Sequence, residues 1–203
     1  MGANAQTTVP DFVADTVLTA AKLDISAATG VPVFATTVTR DAAFGGVNKV
    51  LAQGQTCYLE DANVVQFYDG AAWASLGPTF TTDVVATSQT TTSTSYTDLA
   101  TSGPAVTVTT GTTVYVILTC YQLNNVSNSV SFMGVAVTGA TTIAAADTEC
   151  VSARGAVSGG QDFQMSAVYK MTVTAGSNTF TAKYRVSATT GTFQRRGLTV
   201  IST

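Results

Sequence analysis

Between residues 162 and 188 the side chains alternate with a period of two, and this pattern constrains the fold more than any other. Phe180, Ala182, Tyr184 and Val186 share one face of an extended chain, while Thr181, Lys183, Arg185 and Ser187 share the other. Just before them, Met165, Ala167, Tyr169, Met171 and Val173 line up against Gln164, Ser166, Lys170 and Thr172. Successive strand residues point to opposite sides of a sheet, so each segment buries one face. The linking Ala175-Gly176-Ser177-Asn178 predicts an antiparallel hairpin.

The same texture runs through the C-terminal part of the chain. Segments Ala105–Thr109, Thr113–Gln122, Ser129–Thr138, Thr148–Ala153, Asp162–Thr174, Thr179–Ala188 and Gly197–Ser202 follow at intervals of about ten residues, separated by Gly- and Asn-containing turns. The Thr/Ser-rich stretch 81–97 is β-branched enough to be a polar strand or strand-like linker. These spacings predict an all-β fold: an antiparallel β-sandwich or jelly-roll-like C-terminal domain, with a small N-terminal β-hairpin module and one short helix. Strand Thr113–Gln122 is apolar on both faces, with Val114, Val116 and Leu118 against Tyr115 and Ile117. It is expected to be central and covered on both sides, in part by a neighbouring subunit.

Three zones separate along the chain. Residues 1–35 form an N-terminal arm with a short helix capped by Thr19, and Val17, Leu18, Leu23 and Ile25 give it an apolar side. So short a helix needs a surface to dock on, either another protein or the chain's own second zone. Residues 36–79 form a small β unit: strand Thr56–Leu59, a turn at Glu60–Asn63, return strand Val64–Tyr68, and an Asp69-Gly70 turn into Ala71-Ala72-Trp73. Residues 80–203 form the β-sandwich.

Composition then removes functions. There is no histidine, which excludes Ser-His-Asp and Cys-His nucleophile systems and His-containing zinc sites. No cofactor is expected. Cys57, Cys120 and Cys150 are an odd set without CxxC spacing. A Cys120–Cys150 bridge is conceivable, but the pattern favours reduced thiols and synthesis in a cytoplasm. Residues 1–79 hold seven acidic and three basic side chains and residues 80–203 hold five and six, so neither part has the basic stripe of a nucleic-acid binder. No apolar run is long enough to insert in a membrane as a helix, and the first residues lack the character of a secretory signal. Charged residues make up only 10% of the chain, against about 25% in an ordinary soluble domain. A surface so poor in charge is expected to be covered by other copies or other proteins.

Within the second zone, a set of separated pieces occurs in order: Val31-Pro32-Val33-Phe34-Ala35, Thr39-Arg40-Asp41-Ala42-Ala43-Phe44, Gly54-Gln55-Thr56-Cys57-Tyr58-Leu59-Glu60-Asp61, and Val65-Gln66-Phe67-Tyr68-Asp69-Gly70-Ala71-Ala72-Trp73. With the preceding Val17-Leu18-Thr19-Ala20-Ala21-Lys22-Leu23, they cover about residues 15–78. This resembles a recurrent module of tailed-bacteriophage virion proteins, in which an R-D-A-A turn precedes a Y-L-x-D strand and a Y-D-G-x-x-W hairpin. The resemblance implies a fibre, spike, minor-tail or capsid-decorating protein with an N-terminal attachment region and a β-rich outer domain, often trimeric. Its expected partners are further copies of itself, as a homotrimer, other virion proteins of capsid or tail, and a glycan or protein of the host cell surface. Its expected location is the virion, assembled in the host cytoplasm.

Several residues invite sharper readings. Asp147 and Glu149 lie two apart on an expected strand and could form a glycosidase-like carboxylate pair, or two solvated carboxylates at a strand edge. Arg195 and Arg196, with Lys183 and Arg185, could form a cationic contact patch or a solvated strand face. Loops Asn124–Asn128, containing Asn124, Asn125 and Asn128, together with Ala156–Gln161 and Ala188–Gln194, are the candidate contact loops. Asn125-Val126-Ser127 matches a glycosylation sequon without meaning in a bacterial host. The expected function is a non-enzymatic virion structural protein: a short fibre or spike subunit anchored by its N-terminal region, or alternatively a capsid decoration protein stabilising the head.

Overall fold

The structure is a computed structural model and describes residues 30–44, 51–155 and 163–202. The chain divides into two compact units, Met1–Gly77 and Pro78–Thr203. The arm residues Val17, Leu18, Leu23 and Ile25, and the loop Ala156–Gln161, lie outside the described residues.

In the first unit, β1 (Val33–Phe34), β2 (Thr56–Leu59), β3 (Val64–Tyr68) and β4 (Trp73–Ser75) form one sheet in that order, with β1 parallel to β2 and the other pairs antiparallel. The expected β2–β3 hairpin is present, but the last strand begins at Trp73 and not at Ala71. The reason is Asp69, whose Oδ1 accepts from the backbone N–H groups of Ala71 (2.8 Å) and Ala72 (2.7 Å) and holds both in the turn. Those bonds, Ala72's foremost, hold its carboxyl below the usual carboxylate range.

The segment read as an R-D-A-A turn is the helix α1 (Thr37–Phe44). Thr36 Oγ1 accepts from Thr39 N–H (3.2 Å) and Thr39 Oγ1 accepts from Thr36 N–H (3.1 Å), a reciprocal cap that starts the helix despite its three β-branched first residues. Arg40 is buried, ion-paired to Asp41 (2.7 Å), hydrogen-bonded to Gln66 and set 4.9 Å from the Trp73 ring centroid. Two separated pieces of the sequence module therefore meet in space, around a core of Phe34, Ala43, Phe44, Cys57 and Leu59.

The second unit is an antiparallel two-sheet sandwich of jelly-roll type. Its strands are β5 (Thr79–Val85), β6 (Gln89–Thr91), β7 (Ala105–Thr110), β8 (Thr113–Asn124), β9 (Val130–Gly139), β10 (Cys150–Arg154), β11 (Phe163–Thr172), β12 (Gly176–Val186) and β13 (Gly191–Ser202). One sheet has the order β10-β9-β12-β7 and the other β11-β8-β13-β5, with β6 also on β13. Between them lies a core that includes Val114, Val116, Leu118, Met133, Val135, Phe180, Tyr184, Phe193, Leu198 and Val200.

The alternation in 162–188 places its apolar residues inward, with Phe180, Ala182, Tyr184 and Val186 fully buried. The predicted hairpin is absent. β11 pairs with β8 and β12 with β7 and β9, so the connection crosses from one sheet to the other. Two consecutive strands that face one core from opposite sheets show the same alternation as two that pair.

The strand expected at Thr148–Ala153 starts later. Asp147–Glu149 is a 3-10 turn before β10. Asp147 and Glu149 therefore do not project from one strand face as a pair. Cys57, Cys120 and Cys150 are buried free thiols, and Cys120 and Cys150 do not pair.

Candidate functional site

The outer surfaces of the two sheets differ in chemistry. On the β11-β8-β13-β5 sheet, cross-strand register sets Phe80, Ile201, Tyr115 and Lys170 in one row. Thr82, Thr199, Ile117 and Val168 form the next, and Val84, Gly197, Thr119 and Ser166 a third. Phe80 is 65% exposed, Val84 61%, Val168 60% and Tyr115 38%. β8 is central, as its double-sided apolar pattern demanded, but among the described residues only its inward face is closed. Polar contacts on the outward face include two hydroxyl pairs: Thr82 with Thr199 (2.9 Å) and Thr119 with Ser166 (3.3 Å). Lys170 is the single charged residue of the three rows.

The outer face of the β10-β9-β12-β7 sheet carries paired charges instead. Lys183 donates to both carboxylate oxygens of Asp98, at 2.9 and 2.7 Å. Arg185 forks onto Asp147, its Nε 2.8 Å from Oδ1 and its Nη2 on Oδ2. The Arg185 guanidinium stands 3.8 Å from the Phe132 ring centroid and 5.5 Å from that of Tyr96. Tyr96 donates its hydroxyl to Asp147 Oδ1 at 2.9 Å. The Arg185 bond, first of all, holds Asp147 below the usual carboxylate range, while Asp147 raises Arg185 in turn. Burial, then the neighbouring Cys150 and Asp147, keeps the Tyr96 phenol protonated far above its ordinary range.

The candidate cationic patch is dispersed by this arrangement. Lys183 and Arg185 are each paired with an acid. Arg196 is fully buried and points into the sandwich, where it donates to the carbonyls of Thr101 (3.1 Å), Gly103 (3.2 Å) and Thr87 (3.4 Å). The cause is a bulge between Gln194 and Gly197 that shifts the phase of β13, so that Phe193, Arg196 and Leu198 all face inward. Arg195 takes the exposed bulge position at φ 49° and stands 5.9 Å from the Tyr121 ring centroid.

Asn124 is also not a contact residue. It is buried, accepts from Thr189 Oγ1 (2.8 Å) and Val126 N–H (3.2 Å), and donates to Ala188 O (3.3 Å), tying two loops together. Asn125 and Asn128 remain exposed. Among the described residues no group of acidic, Cys or His side chains could hold a metal ion, and no helix is long and apolar enough to cross a membrane.

The cleft on the charged face had no sequence signal. It measures about 740 Å³ and lies between segments 94–98 and 144–145, over Ala136, Lys183 and Arg185. Its two walls are irregular, and what could have revealed them is only the small residues beneath: a Cβ at Gly134 would lie 2.9 Å from the Tyr96 ring.

No protein-family model matches the chain, and no curated protein matches it. Among solved structures it is similar to that of infectious bursal disease virus Gx strain, with 13% identity over 66% of this chain and 36% of that one, and a TM-score of 0.44. It is similar to Eiger TNF from S. frugiperda, with 9% identity over 63% of this chain and 94% of that one, and a TM-score of 0.43. The T13 particle of infectious bursal disease virus gives 13% identity over 82% of this chain and 45% of that one, and a TM-score of 0.44. The chain thus spans less than half the length of the viral proteins, and at these scores no function passes from any of them to it.

Proposed function

We propose that this chain is a non-enzymatic structural subunit of a tailed-bacteriophage virion, a short fibre or spike that assembles as a homotrimer through the outward face of the β11-β8-β13-β5 sheet. The observation that carries the reading is that face: Phe80, Val84, Tyr115 and Val168 stand open to solvent beside Ile117 and Ile201. A surface of exposed apolar side chains, paired hydroxyls and one lysine gains by being covered. Identical copies are the simplest cover, because a cyclic arrangement buries the same face on every subunit. The module-like residues in the first unit supply the virion context and the N-terminal arm the anchor. The mechanism is adhesion by several weak sites acting together.

Light scattering on the purified full-length chain tests the assembly. A trimer is expected, and Val168→Lys with Val84→Lys should release folded monomers, because both side chains already face solvent. A wild-type chain that stays monomeric at tens of micromolar overturns the reading. Electron microscopy of intact particles then locates it: density at tail or vertex fits the appendage, and copies spread over the shell lattice assign the chain to head decoration instead.

A further inference from the structure

We propose that the cleft on the outer face of the β10-β9-β12-β7 sheet binds a neutral saccharide. The cleft is built and held open by backbone bonds. One wall, segment 94–98, is clipped to the sheet where Thr97 and Tyr184 exchange N–H···O bonds of 3.0 and 2.9 Å. The opposite wall is clipped where Val137 and Ile143 do the same at 2.9 and 3.0 Å. Neither wall must be ordered on binding, which removes a common cost of association. The volume of about 740 Å³ falls in the range of small-molecule sites.

The lining selects the ligand. The methyl groups of Ala136, Ala144 and Ala145 offer small apolar patches suited to the C–H faces of a sugar ring. The hydroxyls of Thr94, Ser95 and Thr97 can each donate and accept. The Asp98–Lys183 pair sets a fixed acceptor beside a fixed donor, and a sugar hydroxyl can bridge such a pair, giving its proton to one and taking one from the other. Arg185 is held by Asp147 and flanked by Phe132 and Tyr96, so it cannot swing to a ligand without losing its two-point contact. The cleft's two cations are each cancelled by their own carboxylate. A phosphate, uronate or other anion must displace one of these acids, whereas a neutral polyol need not. An apolar peptide side chain finds no deep apolar pocket there.

This inference names a host-surface chemistry for the appendage proposed above and rests on that reading only for its biological use. A monomer that binds sugar keeps the cleft and overturns the assembly; a trimer that binds none does the reverse. The test is saturation-transfer NMR on the full chain with methyl glycosides of glucose, galactose, mannose, rhamnose, N-acetylglucosamine and N-acetylgalactosamine, and with methyl glucuronide as the acidic arm. Transfer to at least one neutral glycoside is expected, with an affinity on the order of 1 mM. It should be indifferent to salt up to about 0.5 M. Ala144→Trp, on the exposed wall, should weaken it at least about tenfold, equivalent to about 1.4 kcal/mol, and Asp98→Asn should weaken it without unfolding the sandwich. Transfer to none of the neutral glycosides overturns the proposal, as does transfer that persists in Ala144→Trp, or a salt-sensitive preference for the glucuronide.

Discussion

Replacing Arg196 tests the least expected part of the second unit. Its guanidinium is wholly buried, donates to three carbonyls of segment 87–103, and is paired with no carboxylate among the described residues. Arg196→Met keeps most of the volume and removes those bonds. Gly103 O keeps the Tyr184 hydroxyl at 2.8 Å, so two carbonyls, those of Thr87 and Thr101, lose a donor. Thr87 and Thr101 are themselves exposed, so their carbonyls can turn to water. The loss is that of the bonds to a charged donor, about 1.5–3 kcal/mol each at most, while removing an arginine from the interior recovers several kcal/mol of desolvation. The two offset, so Arg196→Met is expected to stay within about 1 kcal/mol of wild type, or about 4 °C in midpoint. Arg196→Lys keeps the buried charge but not the fork that reaches separate carbonyls, and should cost more, about 3–5 kcal/mol. Urea titration followed by far-UV circular dichroism measures both. Tryptophan fluorescence does not serve, because Trp73 belongs to the first unit. Hydrogen exchange at the Thr97 amide, bonded to Tyr184 O at 3.0 Å, should accelerate first. If Lys is tolerated better than Met, charge and not carbonyl geometry holds this segment, and the reasoning fails.

Gly139 sits at φ 111°, and a Cβ there would fall 2.4 Å from Ser177 O; Gly139→Ala should cost about 2–3 kcal/mol in the same urea titration. Gly197→Ala meets nothing closer than 3.7 Å and should stay within about 0.5 kcal/mol of wild type. Burial pushes the Cys120 thiol up from 9.0 to about 12, so it should resist an aromatic disulfide reagent at pH 8 until urea unfolds the chain. A folded pKa above the unfolded one means the folded state holds the proton longer. This contribution to stability is complete below about pH 9 and declines as pH rises towards 12. Burial raises Tyr184 as well, in the same direction. The urea midpoint should therefore be lower at pH 10.5 than at pH 8, and an unchanged midpoint would contradict the burial of both groups.

The strands of the second unit were legible because period-two alternation is a local consequence of facing one core. Their partners were not. The run Phe180-Ala182-Tyr184-Val186 states which side is inward, and nothing in it says whether the preceding strand lies beside it or across from it. Arg196 was misread for a related reason: a single extra residue in β13 reverses the phase, and Gly197, where the shifted register resumes, reads in the sequence as an ordinary strand start. The helix α1 was hidden by Thr37, Val38 and Thr39, all poor helix formers; only the Thr36–Thr39 spacing hinted at a cap. Asn124 looked like a turn residue, yet its amide closes a buried connection between loops 65 residues apart. The open apolar sheet face, by contrast, was readable from Tyr115 and Ile117, because a central strand that is apolar on both sides needs two covers and a sandwich supplies one.

That same deficit orders the two faces of the sandwich. With charge so scarce in the chain, its placement is informative: Lys183, Arg185, Asp98 and Asp147 stand on one outer face as closed pairs, while the three central rows of the opposite face hold Lys170 alone. A partly exposed pair such as Lys183–Asp98 contributes little to stability, whereas the two-point Arg185–Asp147 fork holds its own part of the sheet, so stability does not by itself account for both pairs. They do fix donors and acceptors in place around a cleft whose walls are already clipped to the sheet. The opposite face has no such fixed groups and presents broad, weakly polar area, the kind of surface that gains from being covered by a large complementary one. On the reading proposed here, one face joins subunits and the other points each subunit's cleft outward, so a trimer multiplies a weak site without changing it. Val168→Lys with Val84→Lys should then abolish multivalent adhesion to a sugar-coated surface while leaving the binding of a single methyl glycoside intact; loss of both together would mean the faces are not independent.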